Sequence, residues 1–235
     1  MIGVVVPVHN EEACLEACLL ALSVAALHPG LGDEPVALAL VLDDCSDDSP
    51  AIAQRHMSRS MGHIVCLTIA ARNVGMARHA GAEHLLACNA RWLAFTDADS
   101  RVAPDWLVAQ LALHADAVCG LVTVDDWSEH PAHLPARFAA RYCHQDDHRH
   151  VHGANLGVCS HAYLRAGGFP PQASSEDVAL VQRLIAIDAQ IAWSAHPRVT
   201  TSARARGRAR GGFADHLAML AKLPDDTTPA CQSSD

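Results

Sequence analysis

The chain has 235 residues, of which 50% are hydrophobic and 18% charged, with a formal net charge of −9. That balance excludes a disordered chain and allows one large α/β domain or two small ones around a sizeable core. An acidic chain is a poor default coat for nucleic acid or an anionic membrane, so any anion it binds needs a local basic patch.

Residues 2–8 form a β-branched run that predicts a buried strand, with Pro7 near its end, where no ladder donor is needed. Asn10 is placed to cap an apolar helix over 11–27, with Glu11 and Glu12 at its positive end. Residues 36–42 predict a second strand that runs into Asp43-Asp44-Cys45-Ser46-Asp47-Asp48. A helix over 50–60 follows, with Pro at its first position. Then come a strand over 64–70, a turn at 72–75, and a helix over 76–89 whose Ala77, Ala80 and Gly81 allow close packing. The fourth strand, 92–95, stops abruptly at Asp97-Ala98-Asp99. Strand and helix alternate over the first hundred residues, which predicts a parallel, helix-covered sheet.

The second half is less regular. Helices are expected over 104–115, 135–143, 162–166, 178–188 and 213–223, and strands over 117–124 and 191–194. Residues 125–152 are rich in His, Asp and Arg, 198–212 form a basic loop, and 224–235 a flexible polar tail.

Nine cysteines are scattered through apolar segments without a CxxC pair. They read as reduced thiols of a cytoplasmic protein. Met1 leads directly into a strand rather than a signal peptide, and no apolar run approaches the roughly 20 residues of a membrane span. The expectation is a soluble chain with at most peripheral membrane contact.

Carboxylates recur at strand ends. In an extended segment, side chains two apart point the same way, so Asp97 and Asp99 can converge on one cation. The carboxyl edge of an open α/β sheet is where ligands bind. Hard oxygen donors suit magnesium or manganese shared with substrate phosphates. The alternative is a strand-ending turn in which Asp99 or Ser100 caps a helix.

Taken as an ordered set, several motifs resemble the inverting family 2 glycosyltransferases of the GT-A fold. They are Val6-Pro7-Val8-His9-Asn10-Glu11-Glu12, Leu42-Asp43-Asp44-Cys45-Ser46-Asp47-Asp48, Arg72-Asn73-Val74-Gly75-Met76-Ala77-Arg78, Asp97-Ala98-Asp99 (the DXD motif), Gly153-Ala154-Asn155, Gly167-Gly168-Phe169 and Glu176-Asp177. The resemblance implies an α/β, Rossmann-like, mostly parallel central sheet with helices on both faces and a smaller acceptor-side half. One domain would span 1–223, with 1–100 binding the nucleotide sugar and 101–223 completing the acceptor and catalytic half.

The resemblance also implies roles. Pro7, His9 and Glu11 would line the nucleotide pocket, and Asp43 or Asp44 would accept from the base. Arg78 would lie near base and phosphates, with Arg72 in the same motif on the donor side. Asp97 would sit by ribose and metal, and Asp99 would ligate Mg2+ or Mn2+. Asp177 would be the general base with Glu176 beside it. Gly153, Ala154, Asn155, Gly168 and Phe169 would border the sugar and acceptor. The donor would be a nucleoside-diphosphate sugar, UDP-linked in the first instance, and the activity hexosyl or N-acetylhexosaminyl transfer. The acceptor would be a small molecule, glycan or lipid-linked sugar.

Two departures stand out: Cys45 where the family commonly has Gly, and no clear metal-binding His beyond Glu176-Asp177, where His196 lies early and Ser202 stands nearby. Arg198, Arg204, Arg206, Arg208 and Arg210 are five of the 17 basic residues. They suggest a flap over the diphosphate, with Arg204 and Arg208 contacting it, and Gly207, Gly211 and Gly212 permit motion. A nucleic-acid arm is not expected, because aromatic content is only 4%. His144, Asp146, Asp147, His148, His150 and His152 match no strong zinc spacing and read as an exposed acceptor-side loop, with one His in substrate contact, or a zinc site, as the alternatives. The competing readings are a non-catalytic nucleotide-sugar- or metal-binding scaffold and a sugar nucleotidyltransferase.

Overall fold

The computed structural model describes residues 1–59, 64–205, 207 and 212–222. Strands β1 (Ile2–Val8), β2 (Val36–Asp43), β3 (Ile64–Ile69), β4 (Trp92–Phe95), β5 (Arg101–Val102), β6 (Ala117–Thr123), β7 (Leu156–Cys159) and β8 (Ile191–Thr200) make one sheet. Their order is β3-β2-β1-β4-β7-β6-β8-β5. β1 pairs in parallel with β2 and β4, and β2 with β3. β7 lies antiparallel between β4 and β6, and β8 joins β6 in parallel. The carboxyl ends of β1, β2, β3, β4, β6 and β8 therefore share one edge.

The apolar runs are strands because both faces of the sheet are covered. The pleat sends alternate residues to opposite cores. Val4, Val6 and Val8 pack with Leu15, Leu19 and Leu22 of α1 (Leu15–Ala26) and with Trp106 of α4 (Trp106–Leu111). Val5 packs with Ala77 and Leu85 of α3 (Val74–Ala87), Tyr163 of α6 (Ser160–Arg165) and Leu180 of α7 (Glu176–Ala186). Burying one such Val or Leu contributes roughly 1.5–3 kcal/mol. Helix α2 (Ser49–Arg59) adds Ile52 and Ala53 to the first core. Helices α5 (Leu134–Arg141) and α8 (Phe213–Lys222) close a third cluster over Leu121 and Val122.

Several expectations are corrected. Asn10 does not cap α1, which starts at Leu15; Asn10 has φ of 56° and its Oδ1 accepts the Ser46 N–H at 2.7 Å. Strand β8 runs to Thr200, past Pro197, because its register with β6 jumps from Ser194 to Arg198. The bulge absorbs the proline, which cannot donate to the ladder. Arg198 is thus in a strand rather than the basic loop. Cys143 is disulfide-bonded, against the expectation of uniformly reduced thiols, whereas Cys14, Cys18, Cys45, Cys66, Cys88, Cys119 and Cys159 are free. Among the described residues, no helix is long and apolar enough to cross a membrane. The tail over 224–235 lies outside the described residues.

Candidate active site

Strand order reverses at the crevice between β1 and β4, where open α/β sheets take ligands. A cleft of about 960 Å³ opens there, lined by Pro7, His9, Glu11, Asp43, Arg72, Arg78, Asp97, Asp99, Gly153, Ala154, Glu176, Asp177 and Arg204, among others. Three of the strand ends deliver the carboxylates, and α7 delivers Glu176 and Asp177 at its amino end. The Gly153–Asn155 turn reaches the same edge because β7 runs antiparallel to β4, with Leu156 opposite Phe95.

On the β1–β2 side, His9 Nδ1 lies 2.6 Å from the Asp43 carbonyl oxygen. The Asp43 carboxylate accepts the backbone N–H groups of Ala71 (2.7 Å), Arg72 (2.8 Å) and Asn73 (2.7 Å). It thereby shapes the turn entering α3, and little of its acceptor capacity faces the cleft. Asp44, also expected at the base, is turned away by a φ of 50° and pairs with Arg72. It does not line the cleft.

Arg78 is the buried centre of the site. Its guanidinium joins Glu176 through Nη1 and Asp97 through Nη2. The Phe169 ring lies 5.7 Å from its Cζ. Glu176 is also buried, so the pair is withdrawn from solvent and each charge depends on its partner. A Cβ on Gly153 would come within 2.4 Å of Arg78 Nη1, which is why this turn carries glycine. The Gly153 N–H donates to Asp177 Oδ2 at 2.7 Å, and the Val178 N–H to Asp177 Oδ1 at 2.8 Å. Ser175 supplies no side-chain cap to α7. Burial pushes the Asp97 carboxyl above its ordinary value against the pull of Arg78, and the charges of Asp99 and Asp177 push the same way as burial.

Arg204 forms the second bridge. Its Nη2 donates to both carboxylate oxygens of Glu11 at 2.9 Å and contacts Asp99 Oδ2. Burial opposes the charge on this guanidinium, but Asp99 and Glu11 outweigh it and its pKa is raised. Glu11 and Asp99 therefore already hold a cation, with an all-oxygen donor set of the kind that suits magnesium or manganese. Among the described residues no three His, Cys, Asp or Glu side chains group to hold an ion. His196 takes no part: it is exposed, lies 3.9 Å from Asp146 and is absent from the cleft wall. Ser202 does line the cleft.

Three expected sugar-side residues lie behind the wall. Asn155 is fully buried, donates from Nδ2 to the carbonyls of Leu121 (2.7 Å) and Pro197 (2.9 Å), and accepts from Trp106 Nε1 at 2.9 Å. Gly168, at φ of 65°, turns the chain so that Phe169 backs Arg78. Arg208 lies outside the described residues. The His-rich segment is less exposed than expected. His148 is buried, and His150 and His152 line the cleft with Tyr142, whose hydroxyl is 2.7 Å from His152 Nε2. Phe138, Phe213 and His216 also line this half, unforeseen from sequence. Only the helices expected over 135–143 and 213–223 signalled ordered structure there.

A family model described as glycosyl transferase family 2 matches residues 3–165, more than half of the chain. No curated protein matches it. Among solved structures, S. aureus TarS 1-349 in complex with UDP-GlcNAc is 14% identical, with a TM-score of 0.67 over 95% of this chain and 68% of that one. Mannosyltransferase PcManGT from Pyrobaculum calidifontis, in complex with GDP-Man and Mn2+, is 18% identical, with a TM-score of 0.66 over 88% of this chain and 58% of that one. GalNAc-T7 with UDP, GalNAc and Mn2+ gives 13% identity and a TM-score of 0.61 over 86% and 43%. A further TarS 1-349 structure is covered to 60%, so the chain spans about three fifths of the length of such proteins. The structural likeness is one of fold, the GT-A arrangement. With the match over residues 3–165, the chain belongs to glycosyl transferase family 2.

Proposed function

We propose that this chain moves a sugar from a nucleoside-diphosphate sugar, UDP-linked in the first instance, to an acceptor hydroxyl by a single inverting displacement. The observation that carries this reading is the convergence of the β1, β2 and β4 ends with the amino end of α7 on one cleft. Its volume of about 960 Å³ suits a donor and an acceptor together.

Pro7, His9, Asp43 and Arg72 border the nucleotide half. Asp97 faces the ribose. Asp99 and Glu11 would hold a magnesium or manganese ion, which as a Lewis acid neutralises charge on the leaving diphosphate. Arg204 reaches the same oxygens. Asp177, aimed by the Gly153 N–H, takes the acceptor proton as the hydroxyl attacks. Glu176 acts through Arg78 and positions the machinery rather than moving a proton. The UDP-GlcNAc, GDP-Man and Mn2+ of the similar structures support this ligand class.

The test is incubation with UDP- and GDP-sugars, manganese and a panel of hydroxyl acceptors. Release of nucleoside diphosphate that the Asp177→Asn variant loses is the expected result. Pyrophosphate release would point to a nucleotidyltransferase, and binding without turnover to a scaffold.

A further inference from the structure

We propose that Arg204 is an internal counter-cation that fills the metal position until a diphosphate draws it away. The chain would then take up its divalent ion together with the nucleotide and not before it. This rests on reading the cleft as a nucleoside-diphosphate site.

The geometry supplies the argument. Glu11 is buried and Asp99 nearly so, and Arg204 Nη2 touches both. Two carboxylates this close repel unless a cation lies between them. The guanidinium serves now, and Asp99 Oδ2, an oxygen an ion needs, is engaged by it. The neighbouring candidate, Asp97, is engaged by Arg78. A lone ion must therefore evict Arg204 and leave its charge unpaired beside the new one. A diphosphate removes that obstacle, because phosphate oxygens match the guanidinium fork and give it a new partner.

The backbone allows a side-chain swing without refolding. The Ala205 N–H donates to Glu129 Oε2 at 2.8 Å, the Arg204 N–H to Ser202 Oγ at 3.2 Å, and His130 Nε2 contacts the Ala203 carbonyl. Space exists on both sides: Arg204 borders the main cleft and also a second cavity of about 210 Å³ beside Cys14 and Glu129.

Titration with MnCl2, following the free ion by electron paramagnetic resonance, tests this. Wild type should bind manganese alone at least ten-fold more weakly than in the presence of UDP. Arg204→Gln should bind manganese alone at least ten-fold more tightly than wild type and gain less from UDP than wild type does, keeping only the part that the diphosphate oxygens supply as ligands. Arg204→Lys keeps the charge but is a poor bridge between two carboxylates, so it should fall between them; it also serves if the Gln variant does not fold. Manganese affinities of the variants within two-fold of wild type, without nucleotide, would overturn the proposal. Failure of UDP to bind wild type would instead count against the nucleotide reading, while the manganese-only comparison still decides the role of Arg204.

Discussion

Gly153 donates its backbone N–H to Oδ2 of Asp177 at 2.7 Å, so the turn that enters β7 aims the carboxylate that opens α7. An amide at 177 keeps an oxygen for that hydrogen bond, gives up the contact of the other oxygen with the Val178 N–H, and loses the ability to take a proton. Asp177→Asn should therefore cut transfer by about 10²–10⁴-fold, the usual worth of a general base. UDP affinity by calorimetry should stay within about two-fold of wild type. Full activity in this variant would remove Asp177 from the role.

Arg78 compensates two carboxylates at once, and one of them is buried with it. Arg78→Ala should lower stability by roughly 3–5 kcal/mol, the penalty for leaving a buried partner charge unpaired. Arg78→Lys should not restore it, because one ammonium cannot reproduce the two-ended bridge. Gly153→Ala pushes a methyl into the same guanidinium and should lose about 1–3 kcal/mol. Urea unfolding measures all three. Unfolding midpoints equal to wild type would contradict the bridge.

Asn155 sits next to cleft residues in sequence but ties Trp106 to the carbonyls of Leu121 and Pro197. Removing its amide orphans buried groups, at about 1–3 kcal/mol for each one left unsatisfied. Asn155→Ala should lower the melting temperature while acceptor KM in the surviving folded protein changes little. A rise in KM without loss of stability would return Asn155 to the sugar side.

The histidine wall makes the protein sensitive to acid. Burial, with neighbouring imidazoles, lowers His150 to about 4 and His152 to about 3. His148 is lowered too, chiefly by burial. In the unfolded chain these imidazoles take protons below about 6.5, while the native state resists until its own lower values. The unfolded state then binds more protons, so stability is full above pH 6.5 and falls as pH drops toward 4 and below. Melting temperatures across pH 4–8 should show this slope, and the double variant His150→Gln/His152→Gln should flatten it. An unchanged slope would show that other groups govern acid unfolding.

Much of this was readable in the sequence because it is local. The β-branched runs, the helices between them and the acids at their ends fix a parallel sheet with a polar edge. What one acid at a strand end does is not local. Asp43 and Asp44 look equivalent, yet the first is filled by three backbone donors and the second rotated outward by its φ. The two arginine bridges join residues 98 and 193 positions apart, and no periodicity reports such partners. The strand expected over 191–194 runs on past Pro197 because of the bulge opposite Gly120 and Leu121. The histidine segment looked solvated by its composition. Packing against Tyr142 and Trp193 instead makes it part of the cleft wall.

The central claim is that the carboxylate-lined edge binds a nucleoside diphosphate sugar with a divalent ion, and a thermal-shift titration tests it most directly. A ligand at 100 times its Kd stabilises the native state by about 2.7 kcal/mol, a readily measured rise in melting temperature. With manganese present, at least one UDP- or GDP-sugar should produce that rise in wild type, and Asp99→Ala should lose it. No shift with any nucleoside-diphosphate sugar, or an undiminished shift in Asp99→Ala, would contradict the account.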